Sequence, residues 1–199
     1  MKSNIQKTKT QESKFFFDKW ANAYDANILT PFLHIFQNLA IREMHTTQNT
    51  QTLDIACGTG FLLTKINGKK YGVDMSEEML SIAKQKNIQN LVLKKSFAQK
   101  LTFENNFFDY VVCTEAFHHF EDPLLVLKEI KRVLKKDGIL IIVDVNFFRL
   151  FNFLAEKYEP GCVHIYSKSD FQNVFKTAQL KLIKQERRRV FAIVNVARK

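Results

Sequence analysis

At 199 residues, with 46% hydrophobic content and 19 Phe, the chain is expected to form one domain with a sizeable core, with no room in these residues for a large second domain. Met1–Lys7 lacks the apolar region of a signal peptide, and the longest apolar run, near Gly138 to Val145, is too short to span a bilayer; a soluble cytoplasmic protein is expected. The formal charge of +10 raises a nucleic-acid reading, but the lysines are scattered and only Arg187, Arg188 and Arg189 cluster, so a solvated lysine-rich surface is the preferred reading.

From Gln11 to Tyr24, the residues Phe15, Phe16, Trp20, Ala23 and Tyr24 fall near helical spacing and predict an amphipathic helix. It packs on the core or covers a ligand with Trp20 or Tyr24. Thr30-Pro31 starts a second helix, Phe32 to His45, with His34 and His45 at the surface. Residues 1–50 are thus read as an N-terminal helical cap on a domain spanning 51–199.

Leu53 to Ala56 is a buried strand that turns sharply at Gly58 and Gly60 into a helix reaching about Ile66. Glycines at such a turn let a ligand lie against the backbone, and the helix would aim its N–H groups at a carboxylate or phosphate. Leu63 stands where a dinucleotide site needs a third small residue, and no Gly-Lys-Ser/Thr follows, so NAD, FAD and Walker-type phosphate binding are disfavoured. The strand Lys70 to Asp74 ends in an acid about 20 residues beyond Asp54, placed to accept both hydroxyls of a ribose. A nucleoside without a pyrophosphate fits.

A helix from Glu77 to Lys86 capped by Ser76 follows, then a strand from Leu91 to Leu93. Asp109 to Thr114 is the fourth strand, running into Glu115-Ala116-Phe117-His118-His119-Phe120 at the carboxyl edge. Asp122-Pro123 caps a helix that ends at Gly138, and Ile139 to Asp144 is the fifth strand. The aromatic stretch Asn146 to Tyr158, with Phe147, Phe148, Phe151 and Phe153, is a substrate cover or a core-closing helix. Ser167 and Asp170 form a capping box for a helix to Ala178, and Leu180 to Glu186 and Val190 to Ala197 make a hairpin joined at the arginines. Alternating strands and helices predict an α/β fold with a mostly parallel sheet, helices on both faces and a final antiparallel hairpin. Cys57, Cys113 and Cys162 have no pairing or CxxC spacing, and neither a disulfide framework nor a metal site is expected.

Taken together, Leu53-Asp54-Ile55-Ala56-Cys57-Gly58-Thr59-Gly60, Gly72-Val73-Asp74-Met75-Ser76, Phe108-Asp109-Tyr110-Val111-Val112, His118-His119-Phe120-Glu121-Asp122-Pro123, Leu134 to Leu140 and Trp20 to Asp25 resemble class I S-adenosylmethionine-dependent methyltransferases. The chain especially resembles the compact group that looks like the ubiquinone and menaquinone biosynthesis enzymes. That resemblance implies a Rossmann-like seven-stranded sheet and S-adenosylmethionine as cofactor. It implies that Asp54, Ala56, Cys57, Gly58 and Gly60 surround the methionine portion, that Asp74 holds the ribose and that Met75 flanks the adenine, with Tyr24 and Thr114 also at the cofactor. Phe97-Ala98 stands where the group has an acid before alanine, so Phe97 stacks on adenine without accepting from its amino group. The acceptor implied is a small molecule, with His118 or His119 as general base and Glu115 a weaker candidate. A tRNA or protein methyltransferase and a non-catalytic cofactor-binding module are the alternatives.

Overall fold

The computed structural model describes residues 8–26, 30–147 and 149–199. Its seven strands are β1 (Gln51–Ile55), β2 (Lys69–Asp74), β3 (Leu91–Lys95), β4 (Phe108–Thr114), β5 (Leu134–Val145), β6 (Lys181–Arg188) and β7 (Ala192–Arg198). They form one sheet in the order β3-β2-β1-β4-β5-β7-β6. The first five are parallel and β7 is antiparallel to both β5 and β6, the expected α/β arrangement with a closing hairpin. The order reverses at β1, so the carboxyl ends of β1 and β4 flank the crevice where such sheets bind ligands.

Six α-helices lie among the described residues: α1 (Lys9–Tyr24), α2 (Thr30–Ile41), α3 (Glu77–Gln85), α4 (Pro123–Val133), α5 (Arg149–Tyr158) and α6 (Lys168–Thr177). The central strands bury both faces, so alternate residues serve different cores. Val111, Leu140 and Ile142 join Val126, Leu127 and Ile130 of α4 and Phe171 and Phe175 of α6 in one cluster. Val112, Ile141 and Val143 join Phe36, Leu39 and Ala40 of α2 in the other. The cap residues Ser76, Asp122 and Ser167 each accept a backbone N–H of the first turn they precede, and Ser167 with Asp170 completes the capping box.

Several expectations are corrected. The helix expected after the glycine turn is a single 3-10 turn, Leu62–Thr64. Its room is taken at both ends: Gly60 (φ +76) still belongs to the turn, and Gly68 (φ +92) leads directly into β2. A Cβ at Gly68 would sit 2.3 Å from the Thr50 carbonyl oxygen, which fixes the entry to β2 tightly. No helix N-terminus therefore faces the crevice from this connection. The second helix stops at Ile41 rather than His45, and the Thr30 hydroxyl donates to the Tyr24 carbonyl instead of capping. Gly138 does not end α4. The chain is already extended from Leu134, which is fully buried and pairs with Phe108, and Gly138 lies inside β5 where a Cβ would approach the Phe108 and Lys135 carbonyl oxygens at 3.0 Å. Arg187 and Arg188 belong to β6, leaving Arg189 (φ +55) in the hairpin connection.

Candidate active site

The carboxyl ends of β1, β2 and β4, the loop after β3 and the inner face of α1 enclose a cavity with about 1020 Å³ of free space, counting its mouth. Two residues with left-handed backbone stand at the ends of neighbouring central strands, Ala56 (φ +56) after β1 and Glu115 (φ +51) after β4, and both line the cavity. Non-glycine residues hold that conformation at a cost that concentrates at functional sites.

Of the residues expected at a cofactor, Tyr24, Asp54, Ala56, Cys57, Gly58, Asp74, Met75, Phe97, Ala98 and Thr114 line the cavity. Gly60 does not. A Cβ there would lie 3.3 Å from Ala83 Cβ and 3.4 Å from Ile88 Cδ1, so this glycine lets α3 close against the turn. At Gly58 the first atom a Cβ would meet is Met79 Sδ at 4.0 Å, which leaves open space on the cavity side.

Asp74 is fixed by two backbone donors: the Gly58 N–H reaches Oδ2 at 2.8 Å and the Ser76 N–H reaches Oδ1 at 2.9 Å. Burial raises the Asp74 pKa against these two N–H groups and that of Met75; about four lone-pair sites on a carboxylate leave room for a further donor from a ligand. The Gly58 N–H is thus already used within the protein. Behind it Asp54 is buried, and its Oδ1 has no partner. Burial, reinforced by the Asp74 charge, holds the Asp54 carboxyl well above the usual carboxylate range. The Cys57 thiol is pushed up by burial too and stays a thiol.

The N-terminal helix is the cover. It contributes Thr10, Ser13, Phe17 and Tyr24 to the lining; Trp20 instead stacks along the helix against Phe16, Phe17 and Tyr24. Both ends of α1 are tied down. The Thr10 N–H donates to Glu121 Oε1 at 2.8 Å, while Asp25 accepts from the Thr59 hydroxyl at 2.7 Å and pairs with Lys86 at 2.7 Å. Among the described side chains of the aromatic stretch after β5, Phe147, Phe153 and Tyr158 do not line the cavity, and Phe153 and Tyr158 are exposed. Phe148 and the side chain of Phe151 lie outside the described residues.

The two histidines part company. His119 lines the cavity, edge-on to Phe17 at a centroid distance of 5.6 Å, and its buried Nδ1 has no partner. Burial and the neighbouring His118 charge lower its pKa to about 4, so it is neutral at physiological pH. His118 is buried beside it and does not line the cavity. Its Nδ1 donates to Asp144 Oδ1 at 2.6 Å and its Nε2 lies 3.2 Å from Glu159 Oε1. Burial alone would lower its pKa, but the two carboxylates outweigh it and raise the value to about 10. Glu115 lines the cavity with Oε2 unpartnered, and burial holds its carboxyl well above the usual range.

Sequence reading missed Gln99, which lines the cavity just past Phe97 and Ala98 and carries the carbonyl acceptor Phe97 lacks. The half-exposed Phe97 sits at the mouth. It also missed Glu159 and Asp144, which reach the histidines from 41 and 26 positions away along the chain. His34, expected at the surface, is half-buried and stacked on Phe61 at 3.4 Å.

A family model described as a methyltransferase domain matches residues 46–193. The chain is 33% identical over 141 residues to demethylmenaquinone methyltransferase of Staphylococcus aureus, covering 65% of this chain and 58% of that protein. It therefore spans somewhat over half the length of that relative. Among solved structures, a SAM-dependent methyltransferase from Aquifex aeolicus superposes with a TM-score of 0.74 at 24% identity, over 91% of this chain and 97% of that one. The [4+2]-cyclase SpnF superposes with a TM-score of 0.80 at 15% identity, over 97% of each chain. At such identities these two likenesses speak for the fold alone.

Proposed function

The chain belongs to the methyltransferase domain family, and we propose on that premise that it transfers a methyl group from S-adenosylmethionine to a small aromatic acceptor by in-line displacement. The observation that carries the reading is Asp74, a side chain at the end of β2 that backbone N–H groups orient and that lines the cavity with acceptor capacity left for the paired hydroxyls of a ribose.

The other residues fit the same group. The open space beside Gly58 admits a ligand against the backbone, and the unpartnered Asp54 Oδ1 would be satisfied by an ammonium. Gln99 offers a carbonyl oxygen to the adenine amino group, and Phe97 and Met75 offer flat or polarisable contact to its ring. When bound, S-adenosylmethionine supplies a methyl carbon on a positively charged sulfur.

The chain's own contribution is positional. Holding an acceptor in line at near-attack distance and excluding water with α1 can supply a large share of the barrier reduction. His119, neutral and unpartnered at Nδ1, would accept a hydrogen bond from an acceptor hydroxyl and orient it. Glu115, with its carboxyl held well above the usual range by burial, would donate a hydrogen bond to the acceptor rather than take its proton. His118 acts through its neighbours, since its two nitrogens already face Asp144 and Glu159. The cavity lining, with Ile55, Phe17, Phe120 and Ala116, is apolar enough for an aromatic ring, and the menaquinone relative makes a quinol the acceptor class to try first. A cytoplasmic place of action belongs to the same reading.

Titration calorimetry with S-adenosylmethionine and, separately, NAD tests it. Saturable binding of the former alone is expected. Asp74→Ala removes hydrogen bonds to a charged group, worth about 1.5–3 kcal/mol, and should weaken that binding roughly 10–150-fold with the fold retained by circular dichroism. Unchanged affinity in a folded variant would remove the ribose assignment, and tight binding without turnover on a broad acceptor panel would favour a non-catalytic module.

A further inference from the structure

Beneath the cavity floor, two imidazole nitrogens converge on one carboxylate oxygen. His118 Nε2 lies 3.2 Å and His119 Nε2 3.7 Å from Glu159 Oε1. A ligand atom from each of the three residues falls within 4.8 Å of the others. Donors held at about 2.0–2.1 Å around a tetrahedral zinc ion stand about 3.3 Å apart, so the His118–Glu159 side already fits, the His119–Glu159 side needs to close by a few tenths of an ångström, and the side between the two histidines by more.

We propose that His118, His119 and Glu159 form a divalent transition-metal site, with zinc the ion that two nitrogens and one oxygen suit, and with its remaining position open toward the cavity through His119.

Three features favour this over a polar cluster that merely fastens the chain. A hydrogen bond to Glu159 would need one ring nitrogen, yet two rings tilted by 44° with centroids 4.0 Å apart aim at the same oxygen. The far side of His118 is braced: Asp144 takes the ring Nδ1–H at 2.6 Å and the backbone N–H of the same residue at 2.9 Å. A carboxylate on the far nitrogen is what fixes the tautomer and direction of metal-binding histidines. Finally, His119 is 7% exposed and lines the cavity, so it connects the cluster to a path of entry. The sequence could not reveal the set, because Glu159 arrives from the end of α5 and no local ligand spacing exists. Binding of the ion does not depend on the methyl donor, so this proposal and the methyltransferase reading can fail separately.

The test uses the full chain, stripped with a chelator and titrated with Zn2+ by calorimetry, and with Co2+ followed by visible absorption. One ion per chain is expected, with the intense d–d bands of a four-coordinate Co2+ complex. Glu159→Gln and His119→Asn should each weaken Zn2+ binding at least ~10-fold, Asp144→Asn by ~10–100-fold, and His164→Gln should leave it unchanged. Because Glu159 is the least buried of the three and its variant the least disruptive to folding, it decides the matter: Zn2+ affinity unaffected by Glu159→Gln in a folded protein, or no stoichiometric binding by the wild type, overturns the site.

Discussion

At the scale of single residues, the two acids at the glycine turn divide their work through their partners. Asp74 is held by two backbone N–H groups, whereas the Asp54 Oδ1 has none. Burial raises the Asp54 pKa above its ordinary 3.8, so above that pH the unfolded chain ionises while the folded chain keeps its proton. Stability from this group is therefore full at acid pH and declines as pH rises from 3.8 toward the raised folded value. Asp54→Asn removes the decline, and its melting temperature relative to wild type should rise between pH 4 and pH 7 in thermal denaturation. A difference that stays constant over that range would contradict a neutral buried Asp54. Both acids were legible in the sequence because Asp54 lies inside a short apolar run and Asp74 ends one, but their unequal partners were not, since the donors to Asp74 are brought from Gly58 and Ser76.

At the scale of elements, α1 matters most for the site. Gly161 (φ +75) follows α5 and packs under α1, where an added Cβ would lie 2.5 Å from Ser13 Cβ and 2.6 Å from Ser13 N. That contact cannot be relieved by a side-chain rotation, so Gly161→Ala must push α1 outward or strain the loop. Weaker S-adenosylmethionine binding and faster amide exchange in α1 are expected, with exchange in β4 and β5 unchanged. Equal exchange in α1 would show that the cover is not seated by this contact. The capped helices α3, α4 and α6 were readable because their signals are local side chains. The missing helix after β1 was not, because helical propensity from Phe61 to Ile66 is overridden by the short tether between Gly60 and Gly68.

At the scale of the whole molecule, the net charge of +10 is set against local pairing. Arg187 donates to Asn146 Oδ1 and Arg188 pairs with Glu186, while Lys184 on the same strand reaches Glu43 at 2.8 Å. The arginine cluster is therefore largely engaged within the protein. Turnover on a small aromatic acceptor should change little between about 0.05 and 0.2 M salt, and tRNA should show no saturable binding at about 0.15 M. Saturable tRNA binding with a steep salt slope would instead put a nucleic-acid acceptor first. Among the described residues no helix is long and apolar enough to cross a membrane.

What the sequence determined by itself is the strand order of events: apolar runs of period two, capping residues and paired glycines are short-range signals, and the parallel sheet with its terminal hairpin follows from their alternation. The turn at Gly58 and the acid at Asp74 belong to that legible part. Tertiary structure alone decided that Gly60 serves packing rather than the cavity, that Gln99 and Glu115 face inward, and that α1 lies over the cavity. It also brought Asp144 and Glu159 to the histidines. The physical reason is the same in each case: these roles depend on which distant backbone closes over a side chain, and that is fixed by the packing of whole elements, not by the residues on either side of it in the chain.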